Sequence, residues 1–191
     1  MKIPALLLTV LLVAPAVRAD TFRYLAADEA LATGDVVSLV SLSPGTGGQW
    51  IEGRAGTADR GLVGLAAGDL GPNSRTRWRV HESAPGIVSF ECLGFTDGPA
   101  WLNGGTIRHD VVLALNPAGV SGAHWALYRE GTGFTFKCLG KAPGTRWLVA
   151  APERHVALAA APENAPSLWQ IHVWRKSPRP LPPVVSPQPA R

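Results

Sequence analysis

The sequence predicts an all-β protein made of three copies of one unit, and three observations support this. The phrase FECLGFTDGPAWLNG (Phe90–Gly104) returns in altered form as FKCLGKAPGTRWLVA (Phe136–Ala150). VVSLVSLSPGTGGQWIEG (Val36–Gly53) aligns without a gap on IVSFECLGFTDGPAWLNG (Ile87–Gly104), which gives a third copy. Each copy then reaches a second tryptophan, at positions 78, 125 and 169. A repeat of this length indicates one supersecondary unit per copy.

Each copy contains four short segments with strand patterns. In Val88–Cys92 and again in Phe134–Cys138 every second residue is apolar, which is typical of a half-buried strand. Segments of the WLNG, VVLA and WRVH types follow, and turn sequences such as GTGG, DGP and APG separate the segments. The three copies therefore predict twelve strands. Helical periodicity is nearly absent, and YLAADEALA (Tyr24–Ala32) is the one candidate helix.

Three such units are expected to close a barrel around a shared core, because a single unit could not cover its own apolar face. Twelve short strands in three units describe a β-trefoil, with repeats at about 36–82, 83–129 and 130–174. The last strand, WQIHVW (Trp169–Trp174), must then pair with the first strand near Val36. Deleting Trp169–Trp174 should unfold the domain, whereas deleting the residues after Lys176 should not.

The four strands of each copy follow one order: a VSL-type strand, an aromatic-Leu strand, a V-x-L-A strand and a Trp-x-apolar strand. This order resembles the repeat of fascin-like trefoils. From another starting strand it is also similar to the ricin B-chain lectin trefoil. The resemblance covers Val36–Val173 and implies the fold more than the function, since β-trefoils include lectins, actin bundlers, protease inhibitors and growth factors. Filament bundling is not carried over to a chain that is expected to be exported.

The two ends of the chain have different compositions from the body. Lys2, the apolar stretch Ile3–Val17 and the small residues before a cut after Ala19 predict a signal peptide at 1–19. Residues 20–35 are a lead-in to the barrel at 36–174. The Pro-rich segment 175–191 is expected to be an extended, disordered tail. The mature protein is therefore expected to be secreted or periplasmic, without a membrane span.

Charge and motifs argue against several classes of function. The body from Asp20 to Trp174 contains 12 basic and 14 acidic residues, so a nucleic-acid partner is not expected. HExxH, CxxC, GxSxG and P-loop motifs do not occur in the sequence. We therefore expect a binding protein and not an enzyme, with no cofactor, no metal and no catalytic residue.

Six of the seven tryptophans form two repeat-equivalent sets, Trp50, Trp101, Trp147 and Trp78, Trp125, Trp169. Large residues at symmetric positions are expected to fill a barrel and its cap, so both sets are predicted to be core. The alternative is a set of aromatic platforms for sugar rings. Trp174 falls outside both sets and is expected to be partly exposed beside the tail.

Cys92 and Cys138 occupy equivalent positions, where the first copy has Ser41. Export to an oxidising compartment permits a disulfide between them. The bond also requires Cα atoms within about 7 Å, and residues related by a threefold axis meet only near that axis. The sequence leaves the disulfide and two separate small core residues as alternatives.

The loops of the second copy contain the richest set of polar and aromatic residues, and loops at one end of a trefoil commonly bind ligands. The predicted ligand-binding residues are Asp97, Trp101, Asn103, His109 and Asp110. The third copy offers Lys141, Arg146 and His155, and the first offers Gln49, Glu52, Arg54, Asp59 and Arg60. Ricin-type trefoils carry a Gln two residues before the Trp of the last strand. This sequence has Thr76, Ala123 and Ser167 there, so the resemblance does not extend to the galactose site.

The sequence therefore predicts an exported, monomeric, lectin-like module whose partner is a glycan. The alternative is a domain that binds or inhibits an envelope or extracellular protein, and a purely structural domain is a third hypothesis. A polar pocket at a loop end would favour the first, and an exposed apolar patch on a flank of the barrel would favour the second.

Overall fold

The computed structural model contains β-strands at the positions that the repeat predicts, together with turns and a short 3-10 helix at Ser121–Ala123. It describes residues 21–26, 28–57, 60–94, 98–104, 110–117, 121–140, 144, 146–151, 155–160 and 168–178. The first unit contains β2 (Val36–Ser41), β3 (Trp50–Thr57), β4 (Arg60–Ala66) and β5 (Trp78–Ala84). The second contains β6 (Ile87–Cys92), β7 (Trp101–Asn103), β8 (Val112–Ala114) and β9 (Trp125–Glu130). The third contains β10 (Gly133–Cys138), β11 (Trp147–Ala151), β12 (His155–Ala159) and β13 (Trp169–Arg175).

The first and last strands of the three units form a closed ring. β2 pairs with β5, β5 with β6, β6 with β9, β9 with β10, β10 with β13 and β13 with β2, all antiparallel. The pairing of β13 with β2 runs from Trp169 opposite Ser41 to Arg175 opposite Val36. The predicted return of the last strand to the first is confirmed, and the barrel has no open edge at this seam.

The second and third strands of each unit form hairpins that converge on one end of the barrel. β3 pairs with β4, β7 with β8 and β11 with β12. β4 also pairs with β8 and with β12, and Asp110 forms a bridge with Ala157. The three units therefore meet at this end, which we call the cap.

The core is formed by the inward-facing residues of all three units. Trp78, Trp125 and Trp169 are fully buried, and their indole Nε1 groups donate to carbonyl oxygens at distances of 3.2, 3.0 and 3.0 Å. The acceptors are equivalent residues of the second strands, Ile51, Leu102 and Leu148. The prediction that this tryptophan set fills the core is confirmed, and each indole also ties its last strand to the hairpin of the same unit.

The lead-in segment closes the other end of the barrel. The candidate helix at Tyr24–Ala32 is not helical in its described residues. Leu25 donates its backbone N–H to Ile171, and Leu25 and Leu31 pack on the core. Residues six apart lie on different faces of a helix, so a helix would not direct both leucines to the core. The chain between them turns instead, and the Glu29 N–H donates to the Ala26 carbonyl at 3.2 Å. A short strand β1 (Arg23–Tyr24) pairs with β13.

Buried Asp35 connects the lead-in to the start of the predicted tail. Its carboxylate accepts hydrogen bonds from the Ala32 N–H at 2.9 Å, Lys176 Nζ at 2.7 Å and the Ser177 N–H at 2.8 Å. Residues 175–178 are therefore held against the barrel. The remainder of the predicted tail and the predicted signal peptide lie outside the described residues. Within the described part of the chain, no helix is long and apolar enough to cross a membrane.

Candidate functional site

The prediction that the tryptophan at the start of each second strand is core is confirmed only for the burial of Trp50. Trp101 and Trp147 are half-buried and lie on the outer face of the barrel. Trp101 is opposite Glu91, and Trp147 is opposite Lys137. Glu91 lies between the buried, inward-facing Phe90 and Cys92, and directly opposite residues of a sheet share a face. The register of the hairpin therefore turns these indoles away from the core.

Each outer tryptophan contacts an aromatic residue from the preceding last strand, which creates three equivalent sites at the junctions between units. Site A joins Trp50 to His172, site B joins Trp101 to His81, and site C joins Trp147 to Tyr128. The ring centroids are 4.8, 4.6 and 5.6 Å apart, in that order. His81, Tyr128 and His172 each lie three residues after the tryptophan of a last strand, so they share a repeat position in the sequence. Only the structure shows what they contact.

Site B combines the indole of Trp101 with a charged network. Glu91 Oε2 lies 3.0 Å from Arg79 Nη1 and 3.0 Å from His81 Nε2. The side chains of Arg79, His81 and Glu91 are 42%, 36% and 27% exposed, so the network is open to solvent. An apolar ring face beside a carboxylate and a guanidinium provides a stacking surface with hydrogen-bond acceptors and donors at its edge.

Site C has the same strand register as site B, with a cation in place of the carboxylate. Lys137 takes the position of Glu91, and its Nζ lies 5.6 Å from the centroid of the Trp147 ring. Tyr128 is exposed, and Trp147 is half-buried. Site B therefore combines a Trp–His pair with a carboxylate, and site C combines a Trp–Tyr pair with an ammonium group.

Site A is covered by the protein itself. The ring of Phe22 stacks on His172 at 4.1 Å between centroids, with an angle of 7° between the planes, and lies 6.0 Å from Trp50. Val40 takes the position of Glu91 here, and Trp174 packs beside Trp50. Burial lowers the pKa of His172 to about 4, so this ring is neutral at physiological pH.

The structure separates the predicted ligand-binding residues of the second copy. Trp101 belongs to site B, and Asn103 lies at the end of the same short strand, opposite Val112. Asp110 lies in the cap, where it lines a depression of about 330 Å³ with Arg54 and His155. Asp97 and His109 lie outside the described residues. Arg54, Asp110 and His155 come from three different units, so only the tertiary structure brings them together.

Sequence reasoning did not select Arg79 and Glu91 as site residues. The sequence does indicate that the two residues could pair, because both occupy outward positions of strands with alternating apolar residues and they carry opposite charges. Their register across β5 and β6 was needed to place them in contact. Among the described residues, no group of three or more His, Cys, Asp or Glu side chains is placed to hold a metal ion.

Cys92 and Cys138 are both buried as free thiols, so the disulfide that the sequence left open is not formed in this structure. Cys92 Sγ donates to the Arg75 carbonyl at 3.5 Å, and Cys138 Sγ donates to the Gly122 carbonyl at 3.4 Å. Each thiol thus bonds to the loop that precedes its neighbouring last strand and not to the other cysteine. Burial raises the pKa of Cys92 to about 11 and also raises that of Cys138, which makes both poor nucleophiles.

Comparison with known proteins gives a fold and no family. No protein-family model matches the sequence, and no curated protein matches it. A salivary protein of Culex quinquefasciatus from the Cysteine and Tryptophan-Rich family is similar in structure, with a TM-score of 0.56 and 17% identity over 77% of this chain and 96% of that chain. A designed 3-fold symmetric protein, ThreeFoil, has a TM-score of 0.56 and 15% identity over 71% of this chain and 96% of its own.

A lectin of Polyporus squamosus is also similar, and its structure was solved with the epitope Neu5Acα2-6Galβ1-4GlcNAc bound. The TM-score is 0.55 and the identity 12%, over 74% of this chain and 50% of the lectin, so this chain spans about half of that protein. At these low identities the likenesses show the fold alone. They support an all-β closed barrel of β-trefoil type, in agreement with the three repeated units.

Proposed function

We propose that the protein is an exported, monomeric β-trefoil that binds carbohydrate at site B and has no catalytic activity. The observation that carries this proposal is the half-buried indole of Trp101 beside the solvent-exposed Arg79–Glu91–His81 network. The C–H face of a sugar ring can pack on the indole, while the carboxylate accepts hydrogen bonds from sugar hydroxyls. The structural likeness to lectins supports this class of ligand.

The structure argues for site B over the two equivalent sites. At site A, Phe22 already occupies the face of His172. At site C, Lys137 offers only donors and Tyr128 adds one hydroxyl, where site B offers a carboxylate and a guanidinium. Sugar hydroxyls both donate and accept, so the mixed network of site B can satisfy more of them.

A glycan-array screen of the chain from residue 20 to 191, followed by titration of each hit, tests this proposal. Trp101→Ala should abolish the saturable signal, while Trp147→Ala should leave it unchanged as the matched control at site C. Asp110→Ala tests the alternative location in the cap. Binding that survives Trp101→Ala but is lost in Asp110→Ala would move the site to the cap, and a screen without any hit would contradict carbohydrate binding.

Protein binding is the second candidate function, because an aromatic surface is exposed on the flank of the barrel. Phe22 and Tyr24 are 38% and 57% exposed and pack against each other at 5.8 Å between ring centroids. An exposed apolar patch of this kind favours a macromolecular partner. A double Phe22→Ser, Tyr24→Ser variant should lose such a partner in a pull-down from envelope extracts while retaining any glycan binding at site B.

A further inference from the structure

A pocket lined by three arginines lies next to site B. Its volume is about 170 Å³, and we call it the arginine pocket. Its lining residues come from the first and last strands of the ring and from the loops beside them: Val36, Pro72, Asn73, Arg77, Arg79, Leu93, Trp174 and Arg175. A space of this size accommodates a small oxyanion and the atoms that attach it to a larger ligand.

Two of the three guanidinium groups are paired with carboxylates. Arg77 is almost fully buried, lies 3.6 Å over the ring of Trp174, and donates from Nη2 to Asp69 Oδ2 at 2.7 Å. Burial pushes the pKa of Asp69 up, but hydrogen bonds from Arg77 and Thr76 outweigh this effect and hold the pKa below its ordinary value. Asp69 therefore stays ionised and neutralises Arg77, as Glu91 does for Arg79.

Arg175 supplies the charge that remains unbalanced. It lies at the end of β13, its side chain is exposed, and within the described residues it has neither an ion pair nor a side-chain hydrogen bond. The pocket thus has a net charge of about +1 and an unused planar fork of N–H donors, which matches the geometry of a carboxylate or a sulfate.

The arginine pocket shares Arg79 with site B. Arg79 lines the pocket and is directly opposite Glu91 on β6, and Glu91 is directly opposite Trp101 on β7. Arg175, which carries the unpaired charge, is opposite Val36, and Val36 is opposite Arg79. Four strand spacings therefore separate Arg175 from Trp101, which is about 19 Å along the sheet. An oligosaccharide of several rings is needed to reach both places at once.

We infer that the arginine pocket is an anion subsite that takes the carboxylate or sulfate of an acidic oligosaccharide, another ring of which lies on Trp101. This inference rests on the proposed function and specifies its ligand class. A single anionic group fits better than a polyanion, because the body of the chain has more acidic than basic residues and the surplus positive charge is local.

The first experiment compares matched oligosaccharides that differ only in one acidic residue, by isothermal titration calorimetry on the chain from 20 to 191. The acidic ligand should bind at least about tenfold more tightly than its neutral partner, as expected for one charge-assisted hydrogen-bonded pair. Arg175→Ala should remove this difference and leave the neutral ligand unaffected. Arg23→Ala, which removes the same charge from another exposed strand residue, should retain the difference.

A second experiment tests the pocket without a sugar. Sodium sulfate and sodium acetate are titrated against sodium chloride at constant ionic strength, and the indole N–H signal of Trp174 is followed by NMR. Trp174→Phe assigns this signal, since Trp174 Nε1 donates to Ser38 Oγ within the fold. The signal should shift and saturate with sulfate or acetate, and the shift should be lost in Arg175→Ala.

The outcomes separate the two proposals. Equal binding of acidic and neutral ligands, or a preference that survives Arg175→Ala, would overturn the anion subsite and leave carbohydrate binding intact. A Trp174 shift that depends on Arg175, together with no binding of any saccharide, would support the pocket and overturn the proposed function. A Trp174 signal that responds to neither anion, in a protein that does not prefer acidic ligands, would refute the inference.

Discussion

Replacing Trp125 by Phe should destabilise the protein by about 3 kcal/mol. Trp125 is fully buried, and its Nε1 donates to the Leu102 carbonyl at 3.0 Å. Loss of the donor leaves a buried carbonyl without its partner, which costs about 1–3 kcal/mol. The missing ring atoms and the space they leave add about 1–2 kcal/mol. Trp101→Phe is the matched control on the outer face, where a substitution should cost under about 1 kcal/mol.

The assay is equilibrium unfolding in guanidinium chloride, followed by far-UV circular dichroism so that the readout does not depend on the substituted fluorophore. The midpoint should fall while the slope stays constant, because the surface exposed on unfolding barely changes. Trp78→Phe and Trp169→Phe should lose stability to within about 1 kcal/mol of Trp125→Phe, since all three indoles make equivalent bonds. A loss in Trp125→Phe as small as that in Trp101→Phe would refute the assignment of the two tryptophan sets to the core and the outer face.

Three further predictions follow from individual contacts. Deleting Trp169–Trp174 should abolish the cooperative unfolding transition, because it removes a strand of the closed ring. Truncation after Lys176 should leave the transition in place. Equal transitions for the two deletions would argue against the ring. The pKa of His172 is about 4 in the folded protein and about 6.5 in an unfolded chain, so between these pH values the unfolded state binds one more proton. The free energy of unfolding should therefore fall as the pH drops from 6.5 to 4. Thermal melts at a series of pH values should show a weaker fall in His172→Phe, and an identical fall would exclude this histidine as the cause. Cys92 and Cys138 should react with a thiol reagent only after denaturation, and rapid labelling of the native protein would contradict their burial.

The repeat could be found in the sequence because all three units use the same local patterns. Alternation of apolar residues set the strands, as in Val88–Cys92, and turn residues set the breaks between them. Closure of the barrel by Trp169–Trp174 followed from the need to pair the last strand with the first. These are properties of periodicity and strand pairing, which a single sequence displays.

The orientation of the outer tryptophans could not be predicted in the same way. Both tryptophan sets repeat with equal regularity, and symmetry alone made both look like core. The register of each hairpin decides which face a residue takes, and a change of one residue would reverse it. The pairing of Trp101 with Glu91 is such a register, and it depends on the turn between β6 and β7.

The sequence by itself determined the number of units, the order of their strands and the buried tryptophan of each last strand, because these depend on local pattern and on the need of each unit for its neighbours. The tertiary structure alone decided which functional groups meet. Arg79, Glu91 and Trp101 come together across three strands, Arg175 joins Arg79 only through closure of the ring, and Phe22 covers His172 from the other end of the chain. Contacts between residues far apart in sequence depend on register and closure, which no local pattern encodes.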